Sequence, residues 1–138
     1  IHAVTCPLYD DARARLPVFD NAISALIEDI YQRGLDKKVM VIVSGEFGRT
    51  PKINARGGRD HWGHVYSVAL AGAGIQGGVV HGASDRIAGY PVAGRHEPQD
   101  LTATIFHLMG YAPYTEIHDQ QGRPMVISSG DPIQAVLG

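Results

Sequence analysis

Cysteine is nearly absent from this chain of 138 residues, since Cys6 is the single one. No internal disulfide can therefore form, and the cysteine content does not indicate a redox compartment. Long apolar runs are also missing, and no stretch approaches the roughly 20 residues that a membrane-spanning helix needs. Neither sign of charge dominates, because the formal net charge is −2. We therefore expect neither a nucleic-acid partner nor a membrane partner.

The sequence also lacks an initial methionine, since it begins at Ile1. We expect that the true beginning was removed or never included, and any export signal would have gone with it. The missing signal therefore says nothing about localisation. The length is that of one domain, covering residues 1–138, and a domain of this size buries roughly two-thirds of its unfolded surface.

Hydrophobic periodicity predicts an α/β arrangement of helices and strands. Apolar residues recur three and four positions apart from about Asp10 to Arg33, which predicts an amphipathic helix that ends at Gly34. Residues 39–43 form an unbroken apolar run, typical of a strand buried on both faces. Further strands are expected at 65–71, 79–81 and 125–127, and a second helix at 98–109.

Two charged residues follow the predicted strand 39–43. Glu46 and Arg49 lie in the segment GEFGRTP, residues 45–51. In an open α/β sheet, ligands bind beyond the carboxyl ends of the strands. A simple turn needs neither charge, and arginine is suited to bidentate recognition of phosphate, sulfate or carboxylate oxygens. We therefore expect both residues at a functional site.

A second segment, GRDHWGH at residues 58–64, is dense in metal-ligand types. Imidazole is the commonest metal ligand in proteins, and a neighbouring carboxylate can orient it or bind the metal itself. Asp60, His61 and His64 are the candidates here. Spacing alone leaves open whether they bind metal or lie exposed in a glycine-rich loop, with Asp60 bonded to the backbone.

The glycine pattern GAGIQG at residues 72–77 resembles a dinucleotide-binding fingerprint. That fingerprint requires a helix at its end, because the helix N-terminus holds the pyrophosphate. The segment that follows reads as a strand, so we expect no nucleotide cofactor.

The two charged motifs and the sequence LAGAGIQGG at residues 70–78 resemble the C-terminal part of the alkaline phosphatase/sulfatase superfamily. More closely, GEFGRTP and GRDHW are similar to an uncharacterised sulfatase-like branch, typically bacterial and exported with a twin-arginine signal. The resemblance implies a three-layer α/β sandwich with a mostly parallel sheet, of which this chain would be the C-terminal portion. It also implies a periplasmic or exported location.

The resemblance also implies roles for individual residues. The family's strand-end acid falls on Glu46 and its later histidine ligand on His61, while His2 resembles the histidine of an earlier Asp/His ligand pair. Where other members of the superfamily have Asp-His-Gly, this chain has Glu46-Phe47-Gly48, which leaves a second metal open. The nucleophile would lie in an N-terminal half that is not part of the sequence.

These inferences lead to two hypotheses. In the first, the domain is a metal-dependent hydrolase acting on a small-molecule sulfate or phosphate ester. Glu46, His61 and His2 would bind a divalent metal (Zn, Ca, Mn or Mg), Asp60 would orient or assist, and Arg49 would steady the anionic group. In the second, it is a non-catalytic binding domain on the same scaffold. The sequence does not indicate an oligomeric state.

Overall fold

The computed structural model describes residues 8–138, which contain two α-helices, one 3-10 turn and eight short strands. Helix α1 spans Leu8–Gln32, helix α2 spans Pro98–Leu108, and the 3-10 turn spans Gln134–Val136. The strands are β1 (Met40–Val43), β2 (Gly48–Arg49), β3 (His61–Trp62), β4 (Ala69–Gly72), β5 (Ala83–Ser84), β6 (Pro91–Ala93), β7 (Glu116–His118) and β8 (Pro124–Val126).

The strands form four separate two-stranded sheets, and each sheet is antiparallel. The pairs are β1 with β4, β2 with β3, β5 with β6, and β7 with β8. The expected three-layer sandwich with a mostly parallel sheet, as the C-terminal part of an alkaline phosphatase-like fold, is therefore wrong. Parallel neighbours need a long crossover, usually through a helix. Within residues 8–138, no two strands of one sheet are joined in that way.

Strand β1 does not have the burial expected of a central strand. It pairs only with β4, in the register Met40 opposite Gly72 and Val43 opposite Ala69. Ile42 is 39% exposed, so one face of the apolar run remains accessible to solvent. The apolar residues were sufficient to predict a strand, but the prediction of burial on both faces is wrong.

The most buried part of the described chain is helix α2 and the segment that follows β8. Ala103 and Thr104 are fully buried. The Thr104 hydroxyl donates to the Asp100 carbonyl at 2.7 Å and accepts from the Ile133 amide at 2.9 Å. The buried Ser128 hydroxyl donates to the Gln99 carbonyl at 3.0 Å. These bonds fasten the C-terminal segment along the first half of α2.

The chain exposes more surface than is usual for its mass. Its accessible surface is 10389 Å², whereas a compact monomer of 14.8 kDa exposes about 7000 Å². Folding thus buries about half of the unfolded surface rather than the expected two-thirds. Helix α1 contributes clearly to this, since Val18 is 70% exposed and Phe19 is 49% exposed. Within residues 8–138, no helix combines the length and apolar composition needed to cross a membrane.

Candidate functional site

The pairing of β2 with β3 brings the two charged sequence motifs together. Gly48 lies opposite Trp62, and Arg49 lies opposite His61. Directly opposed residues of an antiparallel pair extend from the same face, with Cβ atoms about 4.5–5.5 Å apart. The backbone pairing thus sets Arg49 beside His61, while the prediction that Glu46 and His61 bind one metal stays a prediction.

Three side chains on the two strands or next to them form one cluster, which we call the β2–β3 cluster: Phe47, Arg49 and His61. The rings of Phe47 and His61 have centroids 4.0 Å apart and planes inclined by 36°. The guanidinium carbon of Arg49 lies 5.5 Å from the centroid of the Phe47 ring. A cation at that distance from an aromatic ring is within range of a cation–π attraction. Phe47 thus contacts both the imidazole and the guanidinium.

Gly48 allows this cluster to form because the chain passes very close to it. A Cβ atom at position 48 would overlap the carbonyl oxygen of Val65 and would lie 3.1 Å from that of Trp62. The glycine in the GEFGR motif is therefore required by a close backbone approach. Any side chain at this position would displace the segment that carries Phe47 and Arg49.

The loop between β2 and β3 is stabilised by its own polar groups. The Asn54 side-chain oxygen accepts from the amides of Arg56 at 3.0 Å and Gly58 at 3.1 Å. The Arg59 guanidinium donates to the carbonyls of Thr50 and Pro51, each at 2.7 Å. Arg59 thus stabilises the loop, and the Arg49 guanidinium makes a longer bond, donating to the Arg59 carbonyl at 3.4 Å.

Asp60 is held at the end of this loop, next to His61. Its Oδ1 accepts a hydrogen bond from the Asn54 side-chain nitrogen at 2.9 Å. Its backbone amide donates to the Thr50 hydroxyl at 3.1 Å, and its carbonyl accepts from the Thr50 amide at 3.0 Å. The carboxylate is exposed and its position is fixed, so Oδ2 remains available as an acceptor.

The remaining candidates lie at different places around the cluster. Glu46 is exposed and directly precedes Phe47. His64 packs against the rings of Trp62 (centroids 4.7 Å apart, edge to face) and Tyr90 (4.9 Å apart, planes inclined by 44°). His2 lies outside the residues that the structure describes. Among those residues, no group of three or more His, Cys, Asp or Glu side chains is close enough to hold a metal ion.

A wide groove runs past one side of the cluster. Its volume is about 1040 Å³, and Phe47, Arg49, His64, Tyr90, His81 and His96 are among the residues that line it. Glu46, Asp60 and His61 do not line the groove. A ligand in the groove would therefore meet Arg49 and the Phe47 ring.

Asn54 is the site residue that the sequence did not reveal. Its side chain stabilises the loop and also positions Asp60. An asparagine three residues before a glycine pair is a general turn signal, and it gives no indication of which later side chain the amide will contact.

The described residues thus form a small α+β protein, in which the β2–β3 pair places an arginine beside a histidine. Residues 8–137 match a family described as a protein of unknown function (DUF1501), and since this match covers nearly the whole chain, the chain belongs to that family. No curated protein and no solved structure matches the chain.

Proposed function

We propose that this chain contributes to a metal-dependent hydrolase that acts on a sulfate or phosphate ester. The observation that carries the proposal is the antiparallel pairing that sets Arg49 directly opposite His61. A guanidinium next to an imidazole suits the oxygens of an anionic ester. The similarity of GEFGRTP and GRDHW to the sulfatase-like branch supports the same assignment and suggests an exported protein.

The donors at this place are of the right chemical kind for a divalent cation. Glu46 offers carboxylate oxygens and His61 offers ring nitrogens, and both side chains are exposed. A catalytic zinc site needs about three protein ligands. Glu46 and His61 would supply two of them, and His2 would supply the third. The cation could be Zn, Ca, Mn or Mg, and when bound it would activate the attacking oxygen and neutralise developing charge.

The chain's own side chains would orient the substrate. Arg49 would donate to the oxygens of the sulfate or phosphate group, and its contact with the Phe47 ring restrains the guanidinium before the ester arrives. Asp60, fixed by Asn54, would orient a group bound beside His61 through its free carboxylate oxygen. A guanidinium that is already positioned loses less conformational freedom when the ester binds.

A second candidate is a non-catalytic binding domain, and the position of Phe47 favours it. The Phe47 ring packs against the His61 ring and so occupies space next to the imidazole. In this alternative, Arg49 and the groove would bind an anionic ligand without turnover. The two candidates differ in whether metal is retained and whether an ester is cleaved.

The test is to measure the metal content and the ester-cleaving activity of the purified full-length protein. We expect bound divalent metal and hydrolysis of p-nitrophenyl sulfate or phosphate. Glu46→Gln and His61→Ala should each lower turnover by at least about 100-fold and reduce the metal content.

The matched control is His118→Ala, which replaces an exposed histidine on β7 and should change neither turnover nor metal content. Wild-type metal content and turnover in His61→Ala would contradict the proposal. Anion binding without metal or turnover would support the binding domain.

A further inference from the structure

Two histidines that play no part in the proposed hydrolase site meet at the groove. The Nε2 atoms of His81 and His96 are 2.9 Å apart, and the ring centroids are 5.1 Å apart. His81 comes shortly before β5, and His96 comes just before α2. They are therefore fifteen positions apart in the chain, and the pairing of β5 with β6 brings them together.

Two glycines next to the strand pair make this approach possible. Gly82 and Gly94 both have positive φ angles, of 81° and 55°. A Cβ atom on Gly94 would lie 2.8 Å from the Gly82 Cα atom and 2.9 Å from the Nε2 atom of His81. Both values are shorter than real Cβ contacts, so a side chain at position 94 would push His81 away. The backbone is thus shaped to let the two imidazoles meet.

The other ring nitrogen of His96 faces a carboxylate. Nδ1 of His96 lies 3.6 Å from Oδ2 of Asp100, a distance typical of a loose ion pair and too long for a good hydrogen bond. Oδ2 accepts from the Glu97 amide at 2.9 Å, and Oδ1 accepts from the Asp131 amide at 3.1 Å. A carboxylate held on the Nδ1 side favours a proton on that nitrogen, which leaves Nε2 with its lone pair.

Two Nε2 atoms that face each other can offer two imidazole nitrogen donors to one cation. In the absence of a cation, one ring must donate a proton to the other. A metal ion can take the place of that proton. In a tetrahedral zinc site with Zn–N distances of 2.0–2.1 Å, two ligating nitrogens lie about 3.3 Å apart, so the Nε2 atoms would separate by about 0.4 Å and both rings would rotate to direct their lone pairs at the ion. His81 and His96 are both exposed, so their side chains can make this adjustment.

We propose that His81 and His96 form a second divalent-cation site, with Asp100 orienting His96 from behind. Imidazole ligands suit zinc and copper, and Cu²⁺ stands highest in the affinity order of the divalent first-row ions. The two histidines are the only protein ligands that the described residues provide here, so the remaining coordination positions face the groove. Water or an anionic ligand in the groove would fill them. This site shares no residue with the one proposed around His61.

The experiment uses the complete polypeptide carrying His61→Ala, so that the other proposed site does not contribute. Cu²⁺ is titrated by calorimetry, and the loaded sample is examined by electron paramagnetic resonance. We expect one Cu²⁺ with nitrogen hyperfine structure from two imidazoles. His81→Gln and His96→Gln should each abolish that two-nitrogen signal. Asp100→Asn should weaken binding about 10- to 100-fold while keeping both nitrogens.

His107→Gln is the matched control, because His107 is an exposed histidine on the same helix α2. It should leave the copper signal unchanged. Circular dichroism and thermal unfolding would check that each variant folds, and Asp100→Asn provides a second measurement if either histidine variant does not. An unchanged copper signal in His81→Gln, or an equal loss in His107→Gln, would overturn the proposal.

Discussion

The indole nitrogen of Trp62 donates a hydrogen bond to the carbonyl oxygen of Gly89 at 2.7 Å. This bond joins β3 to the turn between β5 and β6, across 27 positions of the chain. Gly89 is buried, and its amide in turn donates to the Asp85 carboxylate at 2.7 Å. The strand that carries His61 is thereby connected to the strand pair that positions His81.

Replacing Trp62 by phenylalanine should loosen this connection. The Gly89 carbonyl would lose its donor in a buried place, and an unsatisfied buried group costs about 1–3 kcal/mol. We expect the free energy of unfolding to fall by that amount in urea denaturation. Tyr90→Phe is the control, because the Tyr90 side chain lies beside Trp62 but is half exposed. It should change stability by less than about 0.5 kcal/mol. If both variants lost the same free energy of unfolding, the hydrogen bond from Trp62 to Gly89 would not explain the effect.

Gly48→Ala should disturb the β2–β3 cluster directly. The added methyl group would overlap the Val65 carbonyl, and forcing atoms into a filled space costs about 1–3 kcal/mol. We expect a lower melting temperature and, if the hydrolase proposal holds, a loss of turnover. Gly63→Ala is the matched control, because a Cβ there meets nothing within 4 Å. The explanation would be wrong if the two alanine variants had the same melting temperature.

Thr104→Val should lower the stability of the protein, because it removes a fully buried hydroxyl group. The Ile133 amide would lose its acceptor, at a cost of about 1–3 kcal/mol. Thr102→Val is a close control, since the Thr102 hydroxyl makes the same kind of bond, to the Pro98 carbonyl at 3.0 Å, but is exposed. That variant should stay within about 0.5 kcal/mol of the parent. The comparison is made by chemical denaturation, and a Thr102→Val loss as large as that of Thr104→Val would refute the argument.

The helices were predictable because their signals are local. The predicted second helix, 98–109, agrees with α2 at Pro98–Leu108. Pro98 is at its first turn, Asp100 completes a capping box with Glu97, and Gly110 follows with a φ of 88°. Each of these features acts within a few residues. The first helix likewise agrees with its apolar spacing.

The strands were less predictable because their partners are distant. The apolar run 39–43 gave a strand, yet nothing in it specifies the antiparallel partner Ala69–Gly72, which begins 26 positions after Val43. The expected strand at 79–81 is wrong, and β5 begins only at Ala83. Val80 is 95% exposed, so an apolar residue here does not mark a buried strand. A short apolar run therefore does not reveal which other element packs against it.

The candidate site was predictable only in part. The sequence predicted that Glu46 and His61 bind one metal, which stays a prediction, and the β2–β3 register sets Arg49 opposite His61. The stacking of Phe47 on His61 and the Asn54 bond to Asp60 were not predicted. Both depend on the conformation of the loop between residues 50 and 60, which no periodic pattern encodes.

The hairpin of β7 and β8 should show a pH dependence that originates at Asp119. Its carboxylate accepts from the amide of Arg123 at 2.9 Å and from the guanidinium of the same residue at 2.6 Å. The backbone bond and then the side-chain bond hold the pKa of Asp119 below its usual range. A carboxyl group whose pKa is lower in the folded state favours that state above its unfolded pKa, which is about 3.9. That contribution is lost as the pH falls through the lower folded value.

The measurement is hydrogen exchange at the Arg123 amide together with an NMR titration of the Asp119 carboxyl. We expect a midpoint below that of a model peptide, and faster exchange as the pH falls through it once the intrinsic pH dependence is corrected for. Asp119→Asn removes the titrating group and should remove the pH dependence of protection at this amide. Glu116→Gln is the control, since Glu116 is exposed on β7 and does not contact Arg123 in the described residues. A normal midpoint for Asp119, or the same pH dependence in Asp119→Asn, would contradict this origin. The hairpin would then owe its stability to the strand pairing from Glu116 to Val126 rather than to the turn.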